Sequence, residues 1–139
     1  MKRVLLSMIV LLSACTFVAD TTRPAQAQST MEIARGNCKA ASDKCQQTLT
    51  YVTNKKGKLA AENVTDALKD CIQVCNAAEK ILARNSQLGG KTSSLTIQAC
   101  TEVAKACDQF PGDAQMQGCA NEVRKCIGNL QKLDKKTGG

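Results

Sequence analysis

The chain has 139 residues, 19 Lys plus Arg against 12 Asp plus Glu, a formal net charge of +7, nine cysteines, three aromatic residues and no histidine. Lack of histidine removes Cys-His proteases, Ser-His-Asp hydrolases, His-ligated haem and Glu-x-x-His di-iron sites. Phe17, Tyr51 and Phe110 make no stacking platform for single-stranded nucleic acid, so no nucleic-acid partner is expected, and the length suits one domain.

Lys2 and Arg3 precede a mostly apolar run over residues 4–12, the layout of a signal peptide and too short for a spanning helix. Two processing sites compete behind it. Leu12-Ser13-Ala14-Cys15 resembles the bacterial lipobox, which removes residues 1–14 and leaves Cys15 as a lipid-bearing N-terminus and membrane tether. Ala25-Gln26-Ala27 fits ordinary signal peptidase, which removes residues 1–27. Either way an exported protein is predicted, periplasmic or lipid-anchored at the cell envelope. The n-region lacks a twin arginine, so export in the unfolded state is expected. Loss of Lys2 and Arg3 leaves a net charge of about +5, which favours solubility and contact with anionic surfaces. Residues 15–29, rich in Thr, Ala and Gln and containing Pro24, read as a flexible tether.

From Ser29 onward the apolar period is helical, and a bundle domain is predicted over residues 30–133. Ser29-Thr30-Met31-Glu32 has capping-box spacing for a first helix running to about residue 54, ended by Lys55-Lys56-Gly57-Lys58. A second helix is predicted over about 59–84. The hydroxyls of Thr92-Ser93-Ser94 offer N-caps for a third, ending near residue 107. Asp113, after the Pro111-Gly112 turn, caps a fourth that reaches about residue 133, and residues 134–139 form a polar tail. No segment alternates with period two. The expected fold is all-α, an antiparallel up-down four-helix bundle.

The cysteines fall on the seams. In helix 2, Val64, Leu68, Cys71, Cys75, Ala78 and Leu82 step by four and three without a fault. Helix 3 offers Cys100, Val103, Cys107 and Phe110, and helix 4 offers Met116, Cys119, Val123, Cys126, Leu130 and Leu133. Helix 1 offers Cys38, Ala41, Cys45, then Thr48 or Leu49, then Val52. Eight cysteines, all but Cys15, therefore point into one core. Cysteines seven apart on a helix are about 10 Å apart along its axis. An up-down bundle then sorts them into an upper level of Cys38, Cys75, Cys100 and Cys126 and a lower level of Cys45, Cys71, Cys107 and Cys119.

Eight inward thiols admit three readings. Free cysteine packs as a small hydrophobe, but eight exceed what core filling needs. A disulfide framework suits an exported protein; it must cross between helices, with Cys107–Cys119 and Cys38–Cys126 the favoured pairs. Such a protein is a metal-free, disulfide-stapled helical module with a structural or interaction role and no cofactor. Third, thiolates select soft metals, above all Cu(I). Iron–sulfur ligation is disfavoured by the lack of any Cys-x-x-Cys run, and structural zinc draws on closer ligand spacing. Met31 and Met116 sit at core spacing, Tyr51 at a core edge, and the acidic residues converge nowhere, so no enzyme is expected.

Cys38-x6-Cys45, Asp70-Cys71-Ile72-Gln73-Val74-Cys75, Cys100-x6-Cys107 and Cys119-x6-Cys126 together resemble the four-helix-bundle copper-binding proteins, the copper storage protein family. The resemblance covers about residues 31–133 and implies an antiparallel bundle whose core cysteines bind Cu(I). It makes copper ions the partners and Cys38, Cys45, Cys71, Cys75, Cys100, Cys107, Cys119 and Cys126 the ligands. The family's helices tend to carry Cys-x2-Cys-x3-Cys. Here Ala41, Val103 and Glu122 or Val123 hold the middle places, which leaves about half of the family's cysteines and implies binding of a few ions.

Overall fold

Four helices run through the part of the chain that the computed structural model describes, residues 25–137. They are α1 (Ala25–Lys55), α2 (Glu62–Ala83), α3 (Gly89–Asp108) and α4 (Ala114–Thr137), with one 3-10 turn at Gly57–Ala60. The described residues contain no strand. Residues 1–24, which include the apolar run of the leader, the lipobox and Cys15, lie outside the described residues. Each helix packs on two neighbours: α1 on α2 and α4, and α3 on α2 and α4. With connections this short, the ring is an antiparallel up-down four-helix bundle, as the periodicity predicts. No helix among the described residues is long and apolar enough to cross a membrane.

The turns follow helix-end rules. α1 stops where Lys56 takes φ 60° and ψ −166°, a conformation rare for any residue but glycine, and donates its N–H to the Val52 carbonyl at 2.9 Å. α2 closes with a Schellman motif. Asn85, φ 52°, donates to Leu82 at 3.0 Å and Ser86 donates to Ile81 at 3.3 Å. Asparagine tolerates that conformation better than most residues. Before α4, Asp113 is the N-cap, its Oδ1 accepting from the Met116 N–H at 3.0 Å. Tyr51, half-buried at the core edge, donates its hydroxyl to Asp113 Oδ2 at 2.7 Å, so one carboxylate joins the end of α1 to the start of α4. Gln117 Nε2 donates to the Cys107 and Phe110 carbonyls, both at 3.3 Å, and so satisfies the last turn of α3 from α4.

Three helix ends differ from expectation. α1 begins at Ala25, so the capping-box residues lie inside the helix and residues 25–29 are helical rather than tether. Nothing between Ala25 and Ser29 breaks a helix, and Ala and Gln favour one. α3 begins at Gly89, ahead of the Thr92-Ser93-Ser94 cluster. Thr92 and Thr96 donate their hydroxyls back to the carbonyls four residues earlier, at 2.9 and 2.7 Å, instead of capping. α4 runs to Thr137, with Lys135 and Lys136 in its last turn, where cations complement the helix dipole.

The core contains each seam. Val64, Leu68, Cys71, Cys75, Ala78 and Leu82 are buried on α2, and Met116, Cys119, Val123, Cys126, Leu130 and Leu133 on α4. On α1 it is Thr48, not Leu49, that is fully buried. On α3 the seam extends upstream through Ser93 and Thr96 to Cys100, Val103 and Cys107, and Phe110 packs against its edge.

Candidate metal centre

All eight seam cysteines have 0% exposure, so their sulfurs sit in a water-excluded interior. All eight are free thiols. Neither favoured disulfide pair is formed: Cys38 and Cys126 meet with their sulfurs 3.8 Å apart, well beyond the roughly 2.05 Å of a bond.

The tightest grouping is a triangle. Cys71 and Cys75 lie one turn apart on α2 with sulfurs 3.7 Å apart, and Cys100 on α3 faces both, 3.6 Å from Cys71 and 3.8 Å from Cys75. Among the described residues this is the group of three ligand atoms close enough to hold one metal ion. A point equidistant from the three sulfurs is about 2.1 Å from each, close to the ~2.3 Å reach of a thiolate–zinc bond. A soft ion with three sulfur ligands fits the triangle with small adjustments.

Four of the other five sulfurs form two rungs between α1 and α4, and the fifth, Cys107 on α3, bonds to Cys119 of the lower rung. Cys38 and Cys126 share a hydrogen bond at 3.8 Å at the upper level, and Cys45 meets Cys119 at 3.9 Å at the lower. Here the two-level expectation needs correction at Cys71. On α1, α3 and α4 the cysteines are seven apart, but on α2 only four separate them, an axial rise of about 6 Å instead of about 10 Å. Cys71 therefore falls short of the lower level and joins Cys75 and Cys100. It also acts on Cys45 below, as Cys126 acts on Cys100 above. The sulfurs form one connected string rather than two separate squares.

The string has uneven proton affinity. The hydrogen bond with Cys126, then burial, holds the Cys38 thiol well above its ordinary value. Cys45 is raised by its bonds with Cys119 and Cys71, Cys100 by those with Cys126, Cys71 and Cys75, and Cys107 by that with Cys119. Cys71 and Cys119 shift the other way. Hydrogen bonds from Cys100, Cys45 and Cys75 favour the Cys71 thiolate, and those from Cys107 and Cys45 favour that of Cys119. Cys71 in the triangle and Cys119 in the lower rung thus favour the thiolate relative to their neighbours, and the thiolate is the form that binds metal.

Periodicity did not reveal the polar support around Cys119. Thr48 is buried beside it and favours its thiolate, and Gln115 Nε2 donates to the Thr48 hydroxyl at 3.2 Å. Lys44 also favours that thiolate. Its side chain lies over Gly118, where a Cβ would stand 3.3 Å from Lys44 Cε, so the missing side chain leaves room for a cation near the lower sulfurs. A glycine one residue before a seam cysteine is the available sequence signal. Met116 is fully buried and packs as core, and Met31 is partly buried against the same core. At the middle places Ala41, Val103 and Val123 are in the core, while Glu122 is half-buried and forms an ion pair with Lys125.

An antiparallel bundle whose dry interior carries clustered free thiols, with histidine and clustered carboxylates absent from that interior, defines a cysteine-rich metal-binding helical protein. The family model for copper storage protein matches residues 25–135, and the chain belongs to that family. Comparison with the curated proteins gives no match.

Proposed function

We propose that the protein binds and stores copper as Cu(I) through its core thiolates, without catalytic turnover, in the cell envelope. The observation that carries this reading is the Cys71–Cys75–Cys100 triangle, three sulfurs within 4.8 Å of one another and fully buried. Thiolates select soft metals. A structural zinc site draws on four ligands, whereas the triangle offers three, a number that suits Cu(I). The rungs extend the ligand set above and below, so Cys38, Cys45, Cys107, Cys119 and Cys126 add capacity once the triangle is filled. Free thiols at all eight positions support this role over a metal-free, disulfide-stapled module. The envelope location rests on the leader, with Cys15 as the lipid-bearing residue if the lipobox is used.

Anaerobic titration of the reduced protein with Cu(I), against a chromogenic Cu(I) chelator, tests the proposal. The protein should withhold several equivalents from the chelator before colour develops. Colour from the first addition would contradict copper binding.

A further inference from the structure

The eight sulfurs differ in geometry, and the difference suggests a second activity. We propose that the protein reduces Cu(II) to Cu(I), using the two α1–α4 rungs as the electron source and the α2–α3 triangle as the first acceptor of the product. This rests on the copper-binding reading above.

Cys38 and Cys126 stand 3.8 Å apart, and Cys45 and Cys119 stand 3.9 Å apart. Each rung has one sulfur on α1 and one on α4, and two thiols are what a two-electron oxidation to a disulfide consumes. Closing a rung to a bond of about 2.05 Å needs a movement of about 1.8 Å shared between two side chains on different helices. The triangle is built otherwise. Cys71 and Cys75 are four apart on one helix, where Cβ atoms stand about 5–6 Å apart. A disulfide needs about 3.5–4.5 Å between Cβ atoms. These two sulfurs do not bond to each other; Cys100 on α3 stands 3.6 Å from Cys71 and 3.8 Å from Cys75, and a bond from either to Cys100 would dismantle the three-sulfur site that receives the product.

The reaction balances with copper as the oxidant. The thiols of Cys38 and Cys126 lose two protons and give one electron to each of two Cu(II) ions; one sulfur–sulfur bond forms and two Cu(I) ions result. Cys45 and Cys119 repeat the step, for about four Cu(I) per chain. Every sulfur involved has 0% exposure, so bulky disulfide oxidants are excluded, and a small ion such as Cu(II) is the kind of oxidant that reaches them.

The test adds Cu(II) sulfate to the reduced protein without oxygen. After denaturation, Cu(I) is counted with a Cu(I)-specific chelator, and disulfides are mapped by peptide mass spectrometry after alkylation in acid. A parallel sample receives Cu(I) directly. With Cu(II), about four Cu(I) per chain and the bonds Cys38–Cys126 and Cys45–Cys119 are expected; with Cu(I), all eight thiols should remain. Cys38→Ser should halve the yield of Cu(I), and if that variant does not fold, the wild-type disulfide map decides alone. Unreacted thiols in the Cu(II) sample, or bonds placed elsewhere, Cys71–Cys100 included, overturn the proposal while the Cu(I) sample still loads. Failure of the Cu(I) sample to load overturns the copper-binding reading, and this proposal with it.

Discussion

Cys71 and Cys100 meet across the α2–α3 interface with their sulfurs 3.6 Å apart, the closest pair within the triangle. The four-residue step from Cys71 to Cys75 makes this contact possible, because it draws Cys71 upward to the level of Cys100. If that triangle is the tightest site, Cys71→Ser or Cys100→Ser should remove the first, strongest phase of Cu(I) binding. Competition with a chelator should show a weakening of about tenfold or more, equivalent to about 1.4 kcal/mol. Cys107→Ser should lower capacity and leave the first phase intact. Circular dichroism should show the helices retained in all three.

Copper loading should release protons. Hydrogen bonding and burial hold Cys38, Cys45, Cys100 and Cys107 above their ordinary values, so these sulfurs carry protons near neutral pH and copper must displace them. Affinity therefore falls as pH falls, because protons compete for the same sulfurs. A weakly buffered titration with a pH indicator should record about one proton per protonated thiol engaged. Copper uptake without proton release would show that the metal lies away from these thiols.

The Tyr51–Asp113 contact predicts a pH-dependent part of stability that is separate from the sulfurs. The Met116 N–H, then the Tyr51 hydroxyl, hold the Asp113 carboxyl below its ordinary value. A depressed carboxyl stabilises the fold above the unfolded value of about 3.9 and loses that contribution as pH falls through the lower folded value. The Tyr51 phenol is shifted up by the same bond, so its contribution is full below about pH 10 and lost as pH rises through the folded value. Asp113→Ala should cost about 1 kcal/mol near neutral pH, mainly as a lost helix cap, a drop in Tm of about 4 °C. Thermal melts across pH should show wild type and variant converging in strong acid.

Capacity should rise when cysteines are restored at the middle places of the seams. Ala41 and Val103 are fully buried among the sulfurs, so Ala41→Cys and Val103→Cys each place a further thiol inside. The paired variant should bind more Cu(I) per chain than the wild type in the chelator titration. Unchanged stoichiometry would mean that seam position does not govern capacity.

Much of this was legible in the amino-acid pattern because bundle seams repeat every three and four residues. The fault-free run from Val64 to Leu82 placed Cys71 and Cys75 inward, and burial confirms each position. Less legible were polar residues doing core work. Thr48, Ser93 and Thr96 are fully buried, yet hydroxyl residues also suit caps and exposed faces, and an apolar count passes over them. The start of α3 was misplaced for that reason: Thr92 and Thr96 spend their hydroxyls on carbonyls one turn back. The triangle was less legible because sorting Cys71 and Cys75 into different levels passes over the short rise between them. Only α2 has a four-residue step, and its smaller rise turns two squares into a string.

The central claim, that copper rests on the core sulfurs, is tested most directly by anomalous diffraction at the copper edge from crystals of Cu(I)-loaded protein. The account predicts a copper peak inside the Cys71–Cys75–Cys100 triangle, about 2.1–2.3 Å from each sulfur, with further peaks along the string toward Cys38 and Cys107. Copper held only by surface carboxylates or by Met31, with the triangle empty and its sulfurs unshifted, would contradict it.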